Sequence, residues 1–148
     1  MGARRKARVC ALQMLFQFDV ARPRLDELTG LYWRNFGDEM GDVPQEFANN
    51  LAVGAIAHLD EIDGLIKQRA ENWRISRMAV VDRNILRLAI YEMLYRDDIP
   101  PVVSINEAIE LAKTFGGAES GRFVNGILDR VRKDLTRPAR EPARKEEL

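Results

Sequence analysis

The chain has 148 residues, one domain by size and long enough to bury about two-thirds of the surface its unfolded form exposes. With 46% apolar and 31% charged residues it reads as a well-charged globular protein, and no apolar run approaches the roughly 20 residues of a membrane span. The formal net charge of zero hides a segregation: residues 1–18 carry Arg4, Arg5, Lys6 and Arg8 and no acid, whereas residues 24–66 carry nine acids against two bases. One face is therefore expected to meet a polyanion and another a basic partner or solvent. Gln13, Gln17 and Asp19 interrupt any secretory segment after the basic start. A single Cys10 excludes an internal disulfide and fits a reducing compartment, so a cytoplasmic location is expected.

Ala7, Cys10, Ala11, Met14, Leu15 and Phe18 recur at helical spacing and predict an amphipathic helix over residues 3–18. Arg5 and Phe16 project together away from that stripe, with Arg8 on the nearer flank. Two readings stay open: a solvated basic end, or a basic helix whose guanidinium groups meet phosphates and whose aromatic meets a base or a protein. Pro23 ends this helix. A second, over residues 24–36, turns Leu25, Leu28, Leu31 and Tyr32 inward, and residues 37–42 form a loop. Asp42 is the expected cap, and Pro44 the first turn, of a helix reaching about residue 73. Gly54 inside it costs about 1 kcal/mol against alanine, so a close helix contact is expected there. His58, the only histidine, has no ligand or catalytic companion and is read as structural.

Residues 78–95 are apolar around most of a helix, with Val81, Ile85, Leu86, Leu88, Ala89, Ile90, Met93 and Leu94. Such a helix is central, here capped by Ser76, with Asp82 and Arg83 reaching the surface in its first turns. Pro100 and Pro101 break the chain. Ser104-Ile-Asn-Glu107 then fits a capping box for a helix with Ile105, Ala108, Ile109, Ala112 and Phe115 on one face, closed by Gly116 and Gly117. After a polar turn over residues 118–121, the last helix turns Phe123, Val124, Ile127, Leu128, Val131 and Leu135 inward. Asn125 and Gly126, poor helix formers, imply a local demand. The expectation is an all-α domain over residues 1–135 and a disordered, charged and prolyl tail over residues 136–148. No phosphate loop, metal-spaced set or nucleophile elbow occurs, and Asp60, Glu61 and Asp63 read as solvated charge. A binding module, without metal or cofactor, is expected rather than an enzyme.

The block Val81-Asp-Arg-Asn-Ile-Leu-Arg-Leu-Ala-Ile-Tyr-Glu92, the spacer Asp98-Ile-Pro-Pro101 and Ile105-Asn-Glu-Ala-Ile-Glu-Leu-Ala-Lys-Thr-Phe-Gly116 resemble the bacterial transcription antitermination factor NusB family. So do Ser120-Gly-Arg-Phe-Val-Asn-Gly-Ile-Leu-Asp129 and the opening Arg4-Arg-Lys-Ala-Arg8, a likeness spanning residues 3 to about 133. The resemblance implies a bundle of about six to seven helices in two packed halves. It implies pairing with the small-subunit ribosomal protein NusE and binding of the pair to single-stranded boxA RNA. An antitermination complex on RNA polymerase would follow, with no reaction catalysed.

Carried over by resemblance, the RNA surface falls on Arg4, Arg5, Lys6 and Arg8 and on Lys113, Phe115, Glu119, Ser120, Arg122, Phe123 and Asn125. The NusE surface falls on Asp82, with Phe16 and Arg83. Stacking on aromatics and hydrogen bonds to open base edges suit those residue types, and Glu119 would restrain rather than attract. Phe123 reads equally as core. Gly117-Ala118 and Gly121 depart from the usual family pattern. A similar helical domain opens ribosomal RNA cytosine methyltransferases, but no Rossmann-type segment occurs here. The alternative reading is a self-associating helical scaffold whose basic face is masked in a homodimer.

Overall fold

Apolar spacing produces seven α-helices among the described residues of the computed structural model, which are 2–70 and 74–135. They are α1 (Ala3–Ala21), α2 (Leu25–Met40), α3 (Gln45–Ala57), α4 (Leu59–Arg69), α5 (Val80–Tyr95), α6 (Pro101–Gly116) and α7 (Ala118–Leu135), with a 3-10 turn at Ile75–Arg77 before α5. No strand occurs among the described residues. Helices α1, α2 and α3 pack as one half, and α4, α6 and α7 gather round α5 as the other. Helix α5 touches α1, α3, α4, α6 and α7, so it is the shared wall between the halves. Its residues Ile85, Leu86 and Ile90 are wholly buried, as the pattern of residues 78–95 predicts.

The helix ends differ from the sequence expectation for tertiary reasons. Residues 37–40 are not loop but the last turn of α2, because Phe36 and Met40 pack against the core, and Gly41 at φ 71° then turns the chain. The single helix expected through about residue 73 breaks at His58, whose ψ of 26° and φ of −112° lie off the helix. The imidazole stacks on Tyr95 at 4.1 Å, and the redirected α4 buries Ile62 and Ile66 as it packs on α5 and α7. The expected endpoint at residue 73 lies outside the described residues, as does the tail over residues 136–148.

None of the three expected side-chain caps forms. Asp42 is exposed and Pro44 caps α3 without a side-chain bond, while Ser76 lies in the 3-10 turn and Ala79 precedes α5. Helix α6 starts four residues earlier than the capping box places it, because Pro101 lacks only an amide that a first helical turn leaves unpaired. Ser104 and Glu107 thereby become interior helix positions and turn to other partners. Gly54 does mark a close crossing: a methyl group there would overlap the ring of Tyr91 on α5.

Candidate nucleic-acid interface

The first turn of α1 faces the start of α6, and its four bases have four different fates. Arg4 is exposed, lies 3.5 Å from Asp98 and stacks over the Phe47 ring at 4.4 Å. Asp98 is chiefly engaged by Arg96, which holds its carboxyl down to about 2. Arg5 donates to both oxygens of Glu107, at 2.9 and 2.7 Å. That fork pulls the Glu107 carboxyl below its ordinary range and pushes the Arg5 guanidinium up. Lys6 is half-buried. Arg8 is buried, at 4% exposure, and donates to both oxygens of Glu92 at 2.8 and 2.9 Å.

Arg8 therefore departs from its expected place beside the phosphates. At 100° per residue it falls between the stripe and the outer face, and Glu92, a carboxylate on the buried side of α5, draws it inward. Ser104 completes the group by donating to Glu92 Oε1 at 2.8 Å. A buried carboxylate with three donors is fully satisfied, so this cluster ties α1, α5 and α6 into a fixed arrangement beneath the rim. Glu92, Ser104 and Glu107 carry no family role in the sequence reading. A charge at position 92 inside the otherwise apolar second half of the helix was the signal that a buried partner had to exist.

Helix α6 carries the charged strip onward. Glu107, Glu110 and Lys113 follow at three-residue spacing, with Lys113 Nζ 3.7 Å from Glu110. Lys113 lies along α7, because Gly121 leaves room for its stem: a methyl at 121 would press on Lys113 Cγ at 3.0 Å. The residue that departs from the family pattern thus seats a predicted RNA contact. Phe115 is 46% exposed, not on the inward face the spacing assigned to it, because α6 overshoots the core in its final turn. Arg122 and Asn125 are exposed on α7 and Glu119 is exposed beside them. Phe123 is half-buried, packs against the core and also lines a groove. Around Gly126 a methyl would meet only the far end of Arg130 at 3.9 Å. The demand expected at Asn125 and Gly126 is therefore not met inside the described chain.

The groove beside Phe123 contains Asp82, together with Met78, Gly116, Glu119 and Ser120. Asp82 is only 9% exposed, contrary to the expected surface position, because the start of α5 lies against the α6–α7 turn. Its Oδ1 is the one buried side-chain polar atom among the described residues with no hydrogen-bond partner. Arg83 points the other way and donates to Asp19 at 2.7 Å, so the two neighbours occupy different surfaces. Phe16 is exposed on α1, in keeping with its projection from the stripe.

The NusB family pattern matches residues 5–133. The chain is 47% identical over 143 residues to the transcription antitermination protein NusB of Desulforapulum autotrophicum, covering 95% of this chain and 100% of that protein. In structure it is similar to T. maritima NusB, with a TM-score of 0.77 at 38% identity over 96% of this chain and 99% of that one. It is also similar to a chain in the crystal structure of the antitermination factors NusB and NusE in complex with double-stranded RNA. There the TM-score is 0.78 at 26% identity over 90% and 98% of the two chains. The all-helical fold in two packed halves is the one these structures share, and the chain belongs to the NusB family.

Proposed function

We propose that this chain is a transcription antitermination factor that pairs with ribosomal protein NusE and binds boxA of nascent RNA. Within an antitermination complex on RNA polymerase it promotes processive transcription of ribosomal RNA operons. It acts in the cytoplasm and catalyses no reaction; residues 1–135 form the binding domain. The observation that carries this reading is placement along α6: the basic start of α1 reaches it at Glu107, and Lys113 near its end lies against Gly121 of α7, so one helix joins the two regions assigned to RNA. Likeness to a NusB that was crystallised with NusE and RNA supports it.

Arg4, Arg5 and Lys6 meet phosphates and set register, while Phe115 and Phe123 offer ring faces and Asn125 an amide to base edges. Arg8 acts beneath them by fixing the helix that presents them. Glu119 and the Glu107 carboxylate restrain affinity by repulsion. Asp82 accepts a donor from NusE at the groove beside Phe123; Arg83 faces away from Asp82, and it and Phe16 meet a separate part of NusE.

Fluorescence anisotropy of a boxA RNA and a scrambled control, with and without NusE, tests the reading. Selective binding that tightens with NusE is expected. Equal, salt-labile binding to both RNAs would overturn it. The isosteric change Asp82→Asn is expected to weaken NusE association by gel filtration with an unchanged unfolding midpoint; an intact complex would remove Asp82 from that contact.

A further inference from the structure

At the opposite end of α1, where Arg22 closes the helix, an open cavity of about 610 Å³ lies between α1, α4, the 3-10 turn and the start of α5. Its lining includes five bases, Arg22, Lys67, Arg74, Arg83 and Arg87, against two acids, Asp19 and Asp63. The acids are already spent. Asp63 accepts both bonds of an Arg87 fork at 2.9 Å, and Asp19 accepts from Arg83 and Asn84 at 2.7 and 3.1 Å. Burial pushes the Asp19 carboxyl up, but the bonds from Arg83 and Asn84 and the nearby Arg87 charge outweigh it and keep it ionised. Arg83 and Arg87 are thereby fixed as a rigid floor. On the rim, Arg22, Lys67 and Arg74 have no ion pair among the described residues, so the cavity keeps a net excess of positive charge.

The backbone at the rim is also unusual. Arg22 has φ 51° and ψ 50°, and it is the only non-glycine residue with positive φ among the described residues. A helix end of this kind ordinarily takes Gly or Asn, because a β-carbon is disfavoured there. The side chain kept at this backbone cost lies over Phe18, with its guanidinium 4.9 Å from the ring centroid. Its charged head is thereby held at the mouth of the cavity. A concave site with low-dielectric walls and one sign of charge focuses its field on a counter-ion.

We propose that this cavity is a second anion site, which takes phosphate groups on Arg22, Lys67 and Arg74. It stands about 27 Å from Arg4 along α1, at 1.5 Å per residue, and is separate from the boxA strip. Two sources supply that chemistry, the phosphodiester backbone of RNA extending beyond boxA and a free polyphosphate. Arginine suits both, since its planar fork pairs two phosphate oxygens at once.

The test uses the full chain and the double change Arg22→Gly with Arg74→Gln. Glycine relieves the positive-φ backbone, so thermal unfolding is expected at an equal or higher midpoint and loss of folding is excluded as the cause of weaker binding. Salt dependence is measured for a short boxA RNA and for the same RNA extended at both ends. For an RNA source, the double change lowers the slope of the extended RNA by about 1.4, at roughly 0.7 per phosphate contact, and leaves the short RNA unaltered. For a free source, inorganic tripolyphosphate titrated by calorimetry binds the wild type and at least tenfold more weakly the variant, while both RNA slopes stay unaltered. No tripolyphosphate binding, or equal binding to both proteins, together with unaltered slopes, would overturn the proposal. Failure of the boxA reading is seen separately, in the short RNA against its scrambled control.

Discussion

The two ends of the charged strip carry similar residue types and use them differently. At the α1 end, Arg8 is forked onto the buried Glu92 and Arg5 onto the partly exposed Glu107, so Arg4 and Lys6 are the bases there without a carboxylate fork. At the α6–α7 end, Arg122 and Phe115 stand exposed, and Lys113 has one distant acid at 3.7 Å. An arginine forked to a buried carboxylate has its donors occupied and serves the architecture, whereas one at the rim keeps them for a ligand. Counting bases in the first helix therefore overstates the charge that RNA meets.

The sharpest way to break this contrast is at Arg8. Removing its side chain leaves the Glu92 carboxylate buried without its cation, which costs about 3–5 kcal/mol. Arg8→Ala is thus expected to lower the chemical unfolding midpoint strongly, and any loss of RNA binding should follow the loss of fold. An unaffected midpoint with weakened RNA binding would return Arg8 to the phosphate surface.

Phe115 should show the reverse pattern. With nearly half its surface in water it contributes little to the core, but stacking on a base is worth about 1–3 kcal/mol. Phe115→Ala is expected to weaken boxA RNA by roughly tenfold or more in anisotropy while the unfolding midpoint stays put. A shifted midpoint with unaltered affinity would make it a packing residue.

The smallest effect belongs to the Arg5–Glu107 pair. The Arg5 side chain is 39% exposed and solvent-screened, so the pair stabilises the fold by no more than about 1 kcal/mol. Because the Glu107 carboxyl is lowered in the folded state, that contribution is fully present above the ordinary carboxylate pKa of about 4.3 and is lost as pH falls through the folded value. The stability difference between wild type and Glu107→Gln should be flat near neutrality and vanish in acid. The same change releases Arg5, so RNA should bind more tightly, with a salt slope steeper by about 0.7. An unchanged slope would mean that RNA already displaces Glu107.

Much of this could be read before any coordinates. The central helix over residues 78–95 was legible because apolar residues around a whole helix have nowhere to go but inside. The crossing at Gly54 was legible because an interior glycine costs stability unless another backbone or ring needs the room. The family was legible in the blocks over residues 81–92 and 105–129, which fixed the RNA and protein partners to look for.

Helix ends were the weaker part, since the caps Asp42, Ser76 and Ser104 were assigned from local preferences that the tertiary structure overrode. Local spacing also put Asp82 on the surface and Asp63 in solvent, whereas one lines a groove and the other holds Arg87. What the sequence by itself determined was the all-helical class, most of the apolar faces (Leu25 and Leu31, spaced as inward, are exposed) and, through the family resemblance, the kind of partner. What only the tertiary structure decided was which charges remain available, because an ion pair joins residues 84 or 102 positions apart and no local spacing records it.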